Sequence, residues 1–126
     1  MKNVVIAFIL FAAMIFTCFL SVKYLNKISY IMYSSNNSIK NYVNDDNWKA
    51  ANDLSAKISN DWHIYSNNCS LFINHTLIDD ISIEEHKLQE YIKCQNKDEA
   101  LASAQSIEFL IERIRKLEKI NIQNVF

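Results

Sequence analysis

The chain has 126 residues, a formal net charge of −1 and neither glycine nor proline. That length limits it to one compact unit, and the balanced charge supplies no basic face for nucleic acid. Without glycine and proline, phosphate loops, tight hairpins and glycine helix caps are withdrawn or handicapped, which leaves helices joined by short polar breaks. Isoleucine, asparagine and lysine are abundant while arginine stands only at Arg113 and Arg115, the bias of an AT-rich, bacterial coding sequence.

The first element is the uncharged run "VVIAFILFAAMIFTCFLSV", residues 4–22, with Lys2 before it and Lys23 and Lys27 after it. At the helical rise, about 19 residues cover roughly 28 Å, the thickness of a bilayer core. The run ends without the pair of small residues that a signal peptidase requires, because Phe19 occupies one slot of each candidate pair. Cys18 is preceded by "IFT", which excludes a lipoprotein signal of the usual kind. The expectation is an uncleaved transmembrane signal anchor over 1–23, a single pass through the cell membrane, with an extracytoplasmic helical bundle over 24–126. Ala13, Thr17 and Ser21 recur every four residues and give the span a face of small side chains, a possible contact for a second transmembrane helix.

Beyond the span, Tyr24, Ile28, Ile31, Met32, Ile39 and Val43 continue a helical period, which carries the anchor helix into the bundle. The "SSNNS" patch at 34–38 is a place where it weakens, and "NDD" at 44–46 ends it. Trp48 opens a second helix, in which Trp48, Ala51, Ser55, Ile58, Trp62, Tyr65, Cys69, Phe72 and Thr76 follow three-four spacing, so this seam is expected to run to about Asp80. Ser82 and Glu85 have the spacing of a capping box for a third helix, with Leu88, Tyr91 and Ile92 on its apolar face. Asn96 and Glu99 open a fourth, lined by Ala100, Ala104, Ile107, Ile111, Ile114 and Leu117. The reading is all-α: an N-terminal transmembrane helix continuing into an elongated antiparallel helical bundle.

The anchor, "NWKAANDLSAKISNDW", "LFINHTLIDDI", "NKDEALAS" and the tail "KLEKINIQNVF" together make the chain similar to domain-of-unknown-function family 4363, short single-span proteins of spore-forming, mostly anaerobic bacteria. The resemblance covers essentially the full length. It implies a membrane-anchored helical protein accompanying multi-pass membrane proteins, in an accessory role in the membrane or spore envelope. It implies no catalytic residue.

The side chains themselves offer little chemistry. His63, His75, His86, Asp79, Asp80, Glu84 and Glu85 are the members from which a site would be built. His75 and Asp79 share a helix face at four-residue spacing, and His86, placed across a turn, would be the third ligand of a metal site. The plainer expectation puts Trp48, Trp62, Tyr65, Phe72, His75 and Asp79 in packing or partner contact, with no cofactor, no metal and no enzyme activity. Cys69 and Cys94, about equally far from a turn at Asp80, would come to one height on antiparallel helices. Two functions are compatible with this pattern. One is a membrane-anchored interaction protein that partners another integral membrane protein or itself. The other is an extracytoplasmic sensory bundle binding a small ligand or metal.

Overall fold

The computed structural model describes residues 1–71 and 73–125, with side chains described as far as Lys116. Four helices follow one another: α1 (Lys2–Asn44), α2 (Trp48–Cys69), α3 (His75–Lys93) and α4 (Lys97–Val125). The connections are three to five residues long, which forces each helix to turn back on the one before. α1 packs on α2 and α4, and α3 packs on α2 and α4, the neighbour pattern of an antiparallel four-helix bundle.

α1 has two halves with different surroundings. Residues 1–20 are exposed throughout, Val4, Phe8, Phe11, Phe16 and Leu20 among them, so the apolar run finds nothing in the bundle to cover it. α1 is long and apolar enough to cross a membrane. Its second half buries Leu25, Ile28, Ser29, Met32, Asn36, Ile39 and Val43, a three-four stripe facing the other helices. The "SSNNS" patch does not interrupt the helix, because the Asn36 carboxamide turns inward and donates to the carbonyl of Ala104 at 2.8 Å. Nearby, Lys40 pairs with Glu108 and also reaches the Gln105 side chain at 2.9 Å. That bond from Lys40 holds the Glu108 carboxyl below the usual carboxylate range.

The two distal turns, α1–α2 and α3–α4, are built alike. In each the chain leaves the helix through a residue in the left-handed region, Asp46 (φ 58°) and Gln95 (φ 55°), positions where glycine would normally stand. The next amide donates back to a carbonyl five residues earlier, Asn47 to Tyr42 at 2.8 Å and Asn96 to Tyr91 at 2.9 Å. The same asparagine then caps the following helix, its side chain accepting from Ala50 in one turn and Glu99 in the other, each at 3.3 Å. Lys97 ties the two turns together through Asp46 at 3.0 Å.

The third boundary lies elsewhere than the capping-box reading placed it. α2 ends at Cys69, and α3 starts at His75 with Asn74 as its cap, accepting from Thr76 at 2.8 Å. Ser82 is therefore mid-helix: its hydroxyl donates to the Ile78 carbonyl and accepts from the Trp62 indole, both at 2.9 Å. Glu85, expected as a surface cap, is buried among Leu77, Ile78, Ile81, Leu88 and Ile92 on the inner face of α3.

Candidate partner-binding surface

The residues singled out in the sequence divide between core and surface. Trp62 is buried, and Trp48 and Tyr65 are half-buried against the same core, so these three hold the bundle together. Phe72 lies outside the described residues. Thr76 is exposed on α3, which shows that the seam of α2 closes at Cys69.

His75 and Asp79 are exposed on the first turns of α3. The expected third ligand, His86, stands on the same helix eleven residues beyond His75, about 16 Å along the axis, too far to share an ion. Among the described residues no group of three His, Cys, Asp or Glu side chains converges on one point. The shifted boundary also reverses the field at His75, which meets the positive N-terminal end of a helix dipole where a C-terminal end was expected. It separates the cysteines as well. Cys69 closes α2 at one end of the bundle and Cys94 caps α3 at the other, so the full length of α3 lies between them and a bond joining these two is excluded.

Among the described residues, two surfaces suit contact with another protein. On the span, the Thr17 hydroxyl donates to the Ala13 carbonyl and the Ser21 hydroxyl to the Thr17 carbonyl, both at 2.8 Å. Their polar hydrogens are thus consumed inside the helix, leaving a face that is small and effectively apolar. On the bundle, α3 and α4 flank an open groove of about 610 Å³ lined by Asp80, Ile83, Glu84, Lys87, Phe109 and Leu110. Ile83 is 52% and Phe109 59% exposed, so two large apolar side chains face outward from adjacent helices. Asp80, Glu84 and Lys87 form a polar edge along the same groove.

Sequence reasoning missed this groove because it followed the stripes that fill the core. The signal was an exception to those stripes: Ile83 stands two residues past Ile81, and Phe109 two past Ile107, where helical spacing turns a side chain away from the interior. Glu85, expected in a helix cap and among the candidate site members, stands in the core instead. The Glu85 carboxyl, 2% exposed, has an oxygen without a hydrogen-bond partner among the described residues, and burial pushes it up to about 8.

These features define a helical bundle carried on a helix long and apolar enough to span a membrane, with an apolar groove between α3 and α4. The chain belongs to the family described as Domain of unknown function (DUF4363), whose model matches residues 19–125. No curated protein and no solved structure matches it.

Proposed function

We propose that this protein is a membrane-anchored helical accessory protein that crosses the cell membrane once with α1, presents its bundle outside the cytoplasm and holds another integral membrane protein. The observation that carries this reading is the pair Ile83 and Phe109, both exposed and both lining the α3–α4 groove. Apolar side chains flanked by mixed charge suit an amphipathic helix or loop of a partner, in which the apolar centre gives affinity and the edge gives register. The Ala13, Thr17 and Ser21 face offers the same partner a close approach within the bilayer. The protein acts by binding, without catalysis.

Purification of the full chain from its native membrane in mild detergent tests the proposal. A stoichiometric integral membrane protein is expected to accompany it, and Ile83→Asp with Phe109→Asp is expected to release that partner while the bundle stays helical. Ala13→Leu with Thr17→Leu is expected to weaken the association without freeing the chain from the membrane. A bound metal or small molecule in place of a protein partner would overturn this reading in favour of a ligand-binding bundle. A mature chain beginning after Ser21 would remove the anchor.

A further inference from the structure

The turn between α2 and α3 has a height relative to the span that the structure fixes. The Asn68 side chain, one residue before the end of α2, donates to the Tyr24 hydroxyl at 2.8 Å. Tyr24 stands two residues beyond the uncharged run of 4–22. The segment that follows Asn68 is therefore level with the end of the apolar part of α1, and the other two turns lie at the far end of the bundle.

At that level Leu71 is 87% exposed, more than any other large apolar residue beyond the span among the described residues. A single exposed apolar side chain is common on proteins, and Leu71 counts here for where it stands, level with the end of the apolar run. Its neighbours satisfy themselves: the Ile73 amide donates to the Cys69 carbonyl at 3.0 Å, the Ser70 hydroxyl to the Asn67 carbonyl at 2.9 Å, and Asn74 caps α3. Backbone groups already paired lower the cost of leaving water. Ile73 is buried and seals the bundle from above.

The charge on α1 and around this turn points the same way. No aspartate or glutamate occurs in residues 1–44 or between Asp61 and Asp79, while Lys23 and Lys27 stand on α1 just beyond the span. The Lys23 ammonium lies over the Phe19 ring, 5.1 Å from its centroid, with its stem along the helix and its charge near the boundary of the apolar run. An apolar side chain projecting from a turn, Tyr24 beside it and lysines on a helix that carries no carboxylate of its own are the parts of an interfacial membrane contact.

From this juxtaposition we infer that the α2–α3 turn rests on the bilayer, with Leu71 entering the headgroup region and Lys23 and Lys27 meeting anionic lipid phosphates. The contact rests on the reading of α1 as a span. It gives the bundle a second point of attachment and fixes which side of it faces along the membrane, so that a groove on α3 and α4 keeps a constant direction toward a partner in the same bilayer.

The test places a benzophenone amino acid at position 71, 49 or 11 of the full chain, reconstituted alone in vesicles of phosphatidylcholine with one quarter phosphatidylglycerol. All three positions are exposed, so the substitutions leave the packing alone. After irradiation, lipid adducts read by mass spectrometry are expected at 11 and 71, with at least tenfold less at 49 on the distal end of α2. Adducts at 11 but not at 71 would overturn the inference and leave the span intact. Absence of adducts at 11 would overturn the span and this contact with it. Crosslinks from 71 to a second copy of the chain, in place of lipid, would reassign the turn to self-association.

Discussion

Asn36 on α1 donates from its carboxamide to the carbonyl of Ala104 on α4 at 2.8 Å, inside the bundle and 68 positions apart in sequence. A buried asparagine is a costly choice unless its position is specified, and here its Oδ1 has no hydrogen-bond partner among the described residues. It fixes the register of α1 against α4, since sliding either helix by one residue would strand the carboxamide. Asn36→Ala loses a bond and leaves a small void, and we expect a cost of about 1–2 kcal/mol. Urea unfolding of the full chain in detergent micelles, followed through the buried Trp62, measures it.

Glu85 makes stability depend on pH. Burial raises its carboxyl to about 8 from an ordinary value of 4.5, so the folded chain retains a proton that the unfolded chain gives up. The contribution is most favourable below the unfolded value and is lost as pH rises toward 8, by about 1.4 kcal/mol per pH unit between the two. Glu85→Gln, neutral at every pH, is expected to flatten this slope and to be more stable than the natural chain at pH 8. Unfolding free energies of both forms from pH 5 to 9 check it. Glu108 works in the opposite sense at the acidic end: its bond from Lys40 favours the charged form, and that contribution is lost as pH falls through its lowered folded value.

Gln95 occupies a left-handed position that costs a non-glycine residue about 1 kcal/mol. Gln95→Gly removes that strain and should stabilise the bundle by up to about 1 kcal/mol, less what glycine adds to the freedom of the unfolded chain. The same change at Asp46 should gain less, because Asp46 also pairs with Lys97 at 3.0 Å. Thermal melts of the two variants side by side give the comparison.

How much of this was legible depended on what each boundary offered. The distal turns were readable because the polar "NDD" at 44–46 and Asn96 stand next to clear changes of period, although the residue that caps α2 is Asn47, and the core of α4 followed from Ala100, Ala104, Ile107, Ile111 and Ile114. The proximal turn was not. Cys69, Phe72 and Thr76 prolong the α2 spacing through a break that no glycine or proline marks, and Ser82 with Glu85 imitates a capping box in mid-helix. Asn74 carried the true signal, hidden in an apolar stretch. Once the turn moved, His75, Glu85 and Cys94 all changed their surroundings, because a helix shifted by several residues presents different faces and ends. The α3–α4 groove was illegible for another reason: Ile83 and Phe109 belong to different helices, and only the fold brings them to one groove.

The cysteines should differ in reactivity. Cys94 is exposed at the end of α3 and Cys69 is buried at the end of α2. With the folded chain in micelles, a maleimide should modify Cys94 rapidly and Cys69 only after denaturation, since reaction requires access. Mass spectrometry of the digested, non-reduced protein should show no peptide linking Cys69 to Cys94. Such a peptide would place the α2–α3 turn near Asp80 after all.

Asn74 and His75, adjacent in "FINHT", should respond very differently to alanine. The Asn74 side chain accepts from the Thr76 amide at 2.8 Å, and its carbonyl accepts from Leu77 and Ile78, so it organises the entry to α3. Asn74→Ala leaves the first amides of α3 without that cap and is expected to cost about 1 kcal/mol. His75 is exposed and stands at the dipole end that disfavours positive charge. His75→Ala should change stability by less than about 0.5 kcal/mol, the range of an exposed helical position. The two variants, with elemental analysis of the natural protein beside them, separate a capping role from a ligand role. Stoichiometric metal in the natural protein that disappears only with His75→Ala would require a second chain to complete the site, because Asp79 is the one carboxylate a turn away from His75 on α3 and His86 lies beyond its reach.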